Sequence, residues 1–134
     1  MKFESGVIVA SVVFEAIRPR KDTIPATLIY SPDDPAVVRM DLHGDDETVT
    51  WGVGRDLLYH GLHGSAGSGD VRVVSLAGRT WITLSSPSGR LVMWAPTGVL
   101  AEMVEASWVL VPRDTEWALT VDAILQSLTV GGAS

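Results

Sequence analysis

The chain has 134 residues, a net charge of −6 and a pI near 4.8, with 46% hydrophobic and 19% charged residues. That composition suits a single folded domain spanning residues 1–134 and argues against disorder. Ten scattered basic residues make a poor surface for tracking phosphates or anionic lipid. The absence of cysteine excludes disulfide scaffolds, thiolate metal sites and cysteine nucleophiles, and no apolar run reaches the roughly 18 residues a membrane span needs.

The opening Met1-Lys2-Phe3-Glu4 has no signal-peptide pattern, so a cytoplasmic protein is expected. Residues 7–17 are rich in β-branched side chains and read as one long strand. A turn at 18–22 with Pro19 leads to a second strand at 25–30, and Ser31-Pro32-Asp33-Asp34-Pro35 marks another turn. In the third strand, 36–43, Val38, Met40 and Leu42 alternate with Arg39, Asp41 and His43, which predicts one buried and one wet face. Gly44-Asp45-Asp46-Glu47 is a charged turn. The strand after it, 48–53, sets Val49, Trp51 and Val53 on one face. A short helix follows at 55–62, and the Gly- and Ser-rich residues 63–69 read as a mobile loop. Three more strands, 70–76, 80–85 and 90–95, complete a meander of about seven.

After Pro96 the period changes. Leu100, Met103, Val104 and Trp108 recur at helical spacing, with Thr97 placed to cap and Pro112 to stop the helix. Residues 113–116 read as a loop. A last helix is expected after Thr120 on the stripe Val121, Ile124, Leu125 and Leu128, then a frayed tail. The class is α+β: a curved antiparallel sheet carrying two or three helices, with no internal repeat in the sequence.

No constellation of residues carries recognisable chemistry. His60 and His63, even joined by His43, lack a carboxylate partner, and Gly61 breaks the helix between them. Asp41 and His43 share a strand face, but no nucleophile elbow exists. Gly64, Gly67 and Gly69 follow a helix rather than a strand and lack the Gly-Lys tail of a phosphate loop. The acidic runs Asp33-Asp34 and Asp45-Asp46-Glu47 sit in turns without calcium-loop spacing. No catalytic, metal or cofactor-binding residue is assigned and no cofactor is expected. Five tryptophans are many for this length. Trp51 fits a buried face, whereas Trp94 and Trp117, near element ends, are candidates for a contact surface.

The run Trp51 to Leu62, with its Arg55-Asp56-Leu57-Leu58 helix and Gly61-Leu62 close, followed by Gly67-Ser68-Gly69-Asp70-Val71, resembles the signature of the SsgA-like proteins of actinomycetes. Pro25 to Tyr30, Asp34-Pro35, Ser85-Ser86-Pro87-Ser88-Gly89, Val111-Pro112 and Thr115-Glu116 extend the resemblance in order along the chain. It departs at Gly52, Gly54 and Ser75, and in the segment from Leu100 to Trp108. The resemblance implies a whirly-like fold assembling as a trimer through a shared barrel, and a non-enzymatic regulator of sporulation-specific cell division. Such a regulator acts at the septum with partners such as the tubulin-like division GTPase, a related family member, or wall enzymes. The acidic charge argues that single-strand nucleic-acid binding does not accompany the fold. Two alternatives stand beside this reading: a nucleic-acid-binding regulator on the same fold, and a small ligand-binding barrel. The candidate interaction residues are Trp51, Arg55, Asp56, Leu57, Leu58, Gly61, Leu62, Gly69, Asp70, Trp94 and Trp117, each of which also has a packing or turn role open to it.

Overall fold

The computed structural model describes residues 1–112. Nine strands and two helices follow one another: β1 (Lys2–Glu4), β2 (Val7–Arg18), β3 (Asp22–Tyr30), β4 (Val37–His43), β5 (Thr48–Gly54), α1 (Arg55–Leu62), β6 (Ser65–Ser68), β7 (Val71–Leu76), β8 (Arg79–Ser86), β9 (Gly89–Pro96) and α2 (Thr97–Leu110). The strands form one antiparallel sheet in the order β5-β4-β3-β2-β9-β8-β7-β6, and β1 pairs with the start of β2.

The alternating strands behave as their period of two requires. Phe14, Leu28, Val38, Met40, Val73, Ile82 and Met93 point to one face and are buried. Leu58, Leu100, Met103 and Val104 from the two helices close the same core. Each such side chain stabilises the fold by roughly 1.5–3 kcal/mol through area removed from water. The sheet is curled: the eight-residue α1 touches β5 at one end of the strand order and β6 and β7 at the other.

Residues 63–69, read above as a mobile loop, contain the strand β6, which pairs from Ser65↔Val74 to Ser68↔Val71. Ser-Ala-Gly-Ser has no hydrophobic alternation to announce a strand, and its order comes from the edge of β7. The expected cap at Thr97 is also revised. The N-cap of α2 is Pro96, with no side-chain cap, and Thr97 is the first helical residue. Pro112 does terminate α2 as anticipated, since Val111 before it takes the extended conformation (φ −133°, ψ 98°) that a pre-proline residue prefers. The helix expected after Thr120 lies outside the described residues.

The elements also repeat, although no internal repeat is visible in the amino-acid sequence. Four strands and a helix (β2 to α1) are followed by four strands and a helix (β6 to α2). The helices start alike, after Gly54 (φ −55°, ψ 133°) and Pro96 (φ −57°, ψ 133°). Their first N–H groups, which no helical carbonyl can accept from, donate to corresponding turn carbonyls: Arg55 N to Ala36 O at 2.8 Å, and Thr97 N to Gly78 O at 2.9 Å.

Candidate interaction site

The candidate residues separate into a group that holds the fold and a group on open surface. Arg55 belongs to the first. Its side chain is fully buried, and Nη1 donates to the carbonyls of Ser107 (3.0 Å) and Val111 (2.7 Å), close to Ser107 Oγ (3.4 Å). The guanidinium carbon lies 5.1 Å from the centre of the Tyr30 ring, and Tyr30 in turn donates its hydroxyl to Pro35 O at 2.8 Å. The cation thus sits at the carbonyl end of α2, where the helix dipole is negative. It adds a second donor to Ser107 O, which already accepts from Val111 N at 2.8 Å, and binds Val111 O just past the helix. The first residue of one helix caps the end of the other. An arginine entering a short helix after Gly54 gives no hint of that partner, because Ser107 and Val111 are distant in sequence.

Gly61 is equally structural. A Cβ there would lie 2.3 Å from Val73 Cγ1 and 2.4 Å from Val73 Cβ, so only glycine lets α1 lie directly on β7. Leu58 and Leu62 are buried beside it, and Leu57 packs half-buried against the same core. Gly69 turns β6 into β7 with φ +58°, a left-handed conformation natural to glycine. Asp70 is exposed while its carbonyl accepts from Ser85 N at 2.9 Å. Asp56 lies exposed in the first turn of α1, where the dipole favours its charge.

Trp51 and Trp94 are on open surface. Trp51, half-buried on the helix-bearing face of β5, lines with Ile24, Leu42, Val49 and Leu91 a groove of about 710 Å³ at the end of the sheet away from the helices. The groove continues past Trp51 and Leu91 to Leu84 of β8. Trp94 is on the opposite face of the sheet, half-buried. Trp81 packs against it across the strand pair at 6.1 Å between ring centres, and the Arg79 guanidinium lies 4.0 Å over its ring. Trp117 lies outside the described residues.

The histidines are apart. His63 Nδ1 is 2.9 Å from Tyr59 O, and the Tyr59 ring touches both His60 and His63. His43, at the other end of the sheet, places Nε2 2.8 Å from Thr27 Oγ1 and Nδ1 3.1 Å from Thr48 Oγ1. Asp41 engages Arg39 rather than His43. Two guanidinium bonds of 3.0 and 2.8 Å and one from Thr50 (2.8 Å) hold its carboxyl below the usual carboxylate range, the Arg39 hydrogen bond being the largest cause. This ladder on the helix-free face was unforeseen as a network, and it corrects the expected wet position of Asp41, which is buried under its hydrogen bonds while His43 is half-buried.

A family model described as "Streptomyces sporulation and cell division protein, SsgA" matches residues 24–116. The chain belongs to the SsgA family. It is 41% identical to the sporulation-specific cell division protein SsgB of Streptomyces coelicolor over 98 residues, covering 69% of this chain and 72% of that one. The SsgB of Thermobifida fusca is 38% identical over 116 residues, covering 81% and 84%. The crystal structure of an SsgA-like sporulation-specific cell division protein from Thermobifida fusca superposes with a TM-score of 0.78 at 34% identity, over 95% of this chain and 98% of that one. The curled sheet with its helices is therefore a shared SsgA-family fold. Among the described residues no helix is long and apolar enough to cross a membrane.

Proposed function

We propose that this SsgA-family protein acts in sporulation-specific cell division as a non-enzymatic, oligomeric adaptor. In this reading it works from the cytoplasm, is recruited to the septum, and helps position or activate the division and wall-building machinery. Its partners are further copies of itself and division proteins such as the tubulin-like division GTPase or a related family member.

The observation that carries this reading is the second face of the sheet. Both described helices pack on one face. On the other, Val13 of β2 is 53% exposed and Ile17 39%, with Pro25 opposite Val13 in the strand register and half-buried Val9 and Ile29 paired beside them. Past Glu15, which stands between Val13 and Ile17 and opposite Trp94, the same face carries Trp94, Trp81 and Val74. An apolar strip of this kind on the central strands is the kind of surface a protein–protein contact covers, and it supports a trimer in which the sheets of three copies build a shared barrel. The proteins similar to this one are named for sporulation-specific cell division, which supports the process.

Light scattering tests assembly. The expected mass is three chains, falling to one in Val13→Lys, with no change on adding single-stranded DNA. A wild-type monomer, or a salt-dependent complex with DNA, overturns the reading.

A further inference from the structure

The sheet has two ends, and they are finished differently. β6 is four residues long and made of Ser, Ala, Gly and Ser. β5 is seven residues long, and its register with β4 runs unbroken from Val37↔Gly54 to His43↔Thr48. Sheets protect an open edge with short strands, lysines, prolines or bulges. β6 uses the first of these devices. Thr48-Val49-Thr50-Trp51-Gly52-Val53-Gly54 uses none of them, and among the described residues no strand pairs with its outer side.

The groove described above lies beneath this edge. Val49, 44% exposed, and Trp51 form its near wall, and Ile24, Leu42 and Leu91 its floor. Where β5 begins, Asp45, Asp46 and Glu47 are exposed, and no ion pair among the described residues includes them. Away from β5 the charges are mixed, with Arg20 and Asp22 lining the groove and Arg90 beyond it, so the run of acidic side chains lies on the β5 side.

We propose that the free edge of β5 receives an extended segment of a partner protein as an added strand. Its backbone pairs with β5, alternate apolar side chains drop into the groove beside Val49 and Trp51, and a lysine or arginine at one end meets the Asp45-Asp46-Glu47 turn. A second copy is a poor complement. Its own open edge, β6, has no row of large apolar side chains, and β5 contains no cation. The inference deepens the adaptor reading by naming how a partner is held, and it fails separately from it, since assembly and edge pairing are read by different signals.

The test uses the full chain and a fluorescent peptide of alternating valine and threonine flanked at both ends by lysine. Anisotropy is expected to rise saturably. The rise should weaken tenfold or more in Val49→Lys, and about fivefold, with loss of its salt dependence, in Asp45→Asn/Asp46→Asn/Glu47→Gln. A peptide methylated on alternate backbone nitrogens should not bind. No saturable binding up to about 1 mM peptide, equal binding of the methylated peptide, or an unchanged affinity in Val49→Lys overturns the proposal. The chain has no native cysteine, so Thr48→Cys gives a clean probe of the same edge. Disulfide-linked copies forming through it would show the edge occupied by a second chain and overturn the proposal as well. A trimeric mass with any of these negative results leaves the adaptor reading standing and removes only the edge.

Discussion

The two halves of the molecule share a plan and differ at one node. Laid over one another from their helix starts, α1 and α2 place Leu58 on Leu100 and Leu62 on Val104, all buried. Their preceding strands match inward-facing Val49, Trp51 and Val53 with Leu91, Met93 and Ala95. At the node where each helix begins, the first half has buried Arg55 beside Tyr30. The second has a chain of hydroxyls in the same place: Ser75 Oγ to Thr80 Oγ1 at 2.7 Å, and on to Thr97 Oγ1 at 2.9 Å. A local hydroxyl chain ties together only its own half, whereas a long planar cation reaches into the other half and fastens its helix. The second difference is the helix seat. Gly61 falls on Met103, so α1 lies flush on the sheet at a glycine where α2 has a buried methionine side chain.

If the first node spans both halves, breaking it should cost most. Arg55→Met keeps the apolar stem and removes the donors, so that Val111 O loses its arginine bond and Ser107 O keeps only the one from Val111 N. A stability loss of about 3 kcal/mol is expected from the urea midpoint. A loss no larger than that of the second node would erase the distinction between the halves. Gly61→Ala should follow, costing about 1–3 kcal/mol by overpacking. Combined with Val73→Ala it should cost less than the two single changes added together, because the second substitution removes the clashing methyls. Thr80→Val, which cuts the hydroxyl chain of the second half, should cost about 1 kcal/mol.

The smallest effect is expected at Asp41, outside both nodes. Its carboxyl is held below the ordinary range by Arg39. The stability it contributes is therefore complete above the unfolded carboxylate pKa and is lost as pH falls through the lower folded value. Asp41→Asn should lower stability at neutral pH by no more than about 1 kcal/mol and leave it less sensitive to acid below about pH 4 than the wild type. An identical acid response in the two proteins would remove Arg39 and Asp41 from the account.

The sequence carried the strands and helices whose period was clean, and the alternation of Val38, Met40 and Leu42 told the buried face correctly. It did not carry β6, whose only claim to be a strand is its neighbour, nor the duplicated plan, since burial demands hydrophobic residues at matching positions but not the same ones. Among the signature residues, Gly69 was legible as a turn glycine, whereas Gly61, read as a break in the helix, lies within α1 and is required by its contact with Val73. Arg55 was the least legible, because its partners are carbonyls, which every residue possesses and no sequence pattern marks. Trp94 was recognised as a surface candidate, while the Arg79 stack over it depends on a strand pairing that sequence does not specify.

The length of α1 has a mechanical meaning. The helix is the connection between the two ends of the sheet, and eight residues measure about 12 Å along the axis. It is clamped at its first residue by Arg55 and pressed on β7 at Gly61, so it works as a fixed spacer, a strut across the gap in an unfinished cylinder. The seam beside β5 consequently has a set width that neither sheet end can alter alone. Inserting or deleting one helical turn would rescale that opening while leaving every strand with its own partners.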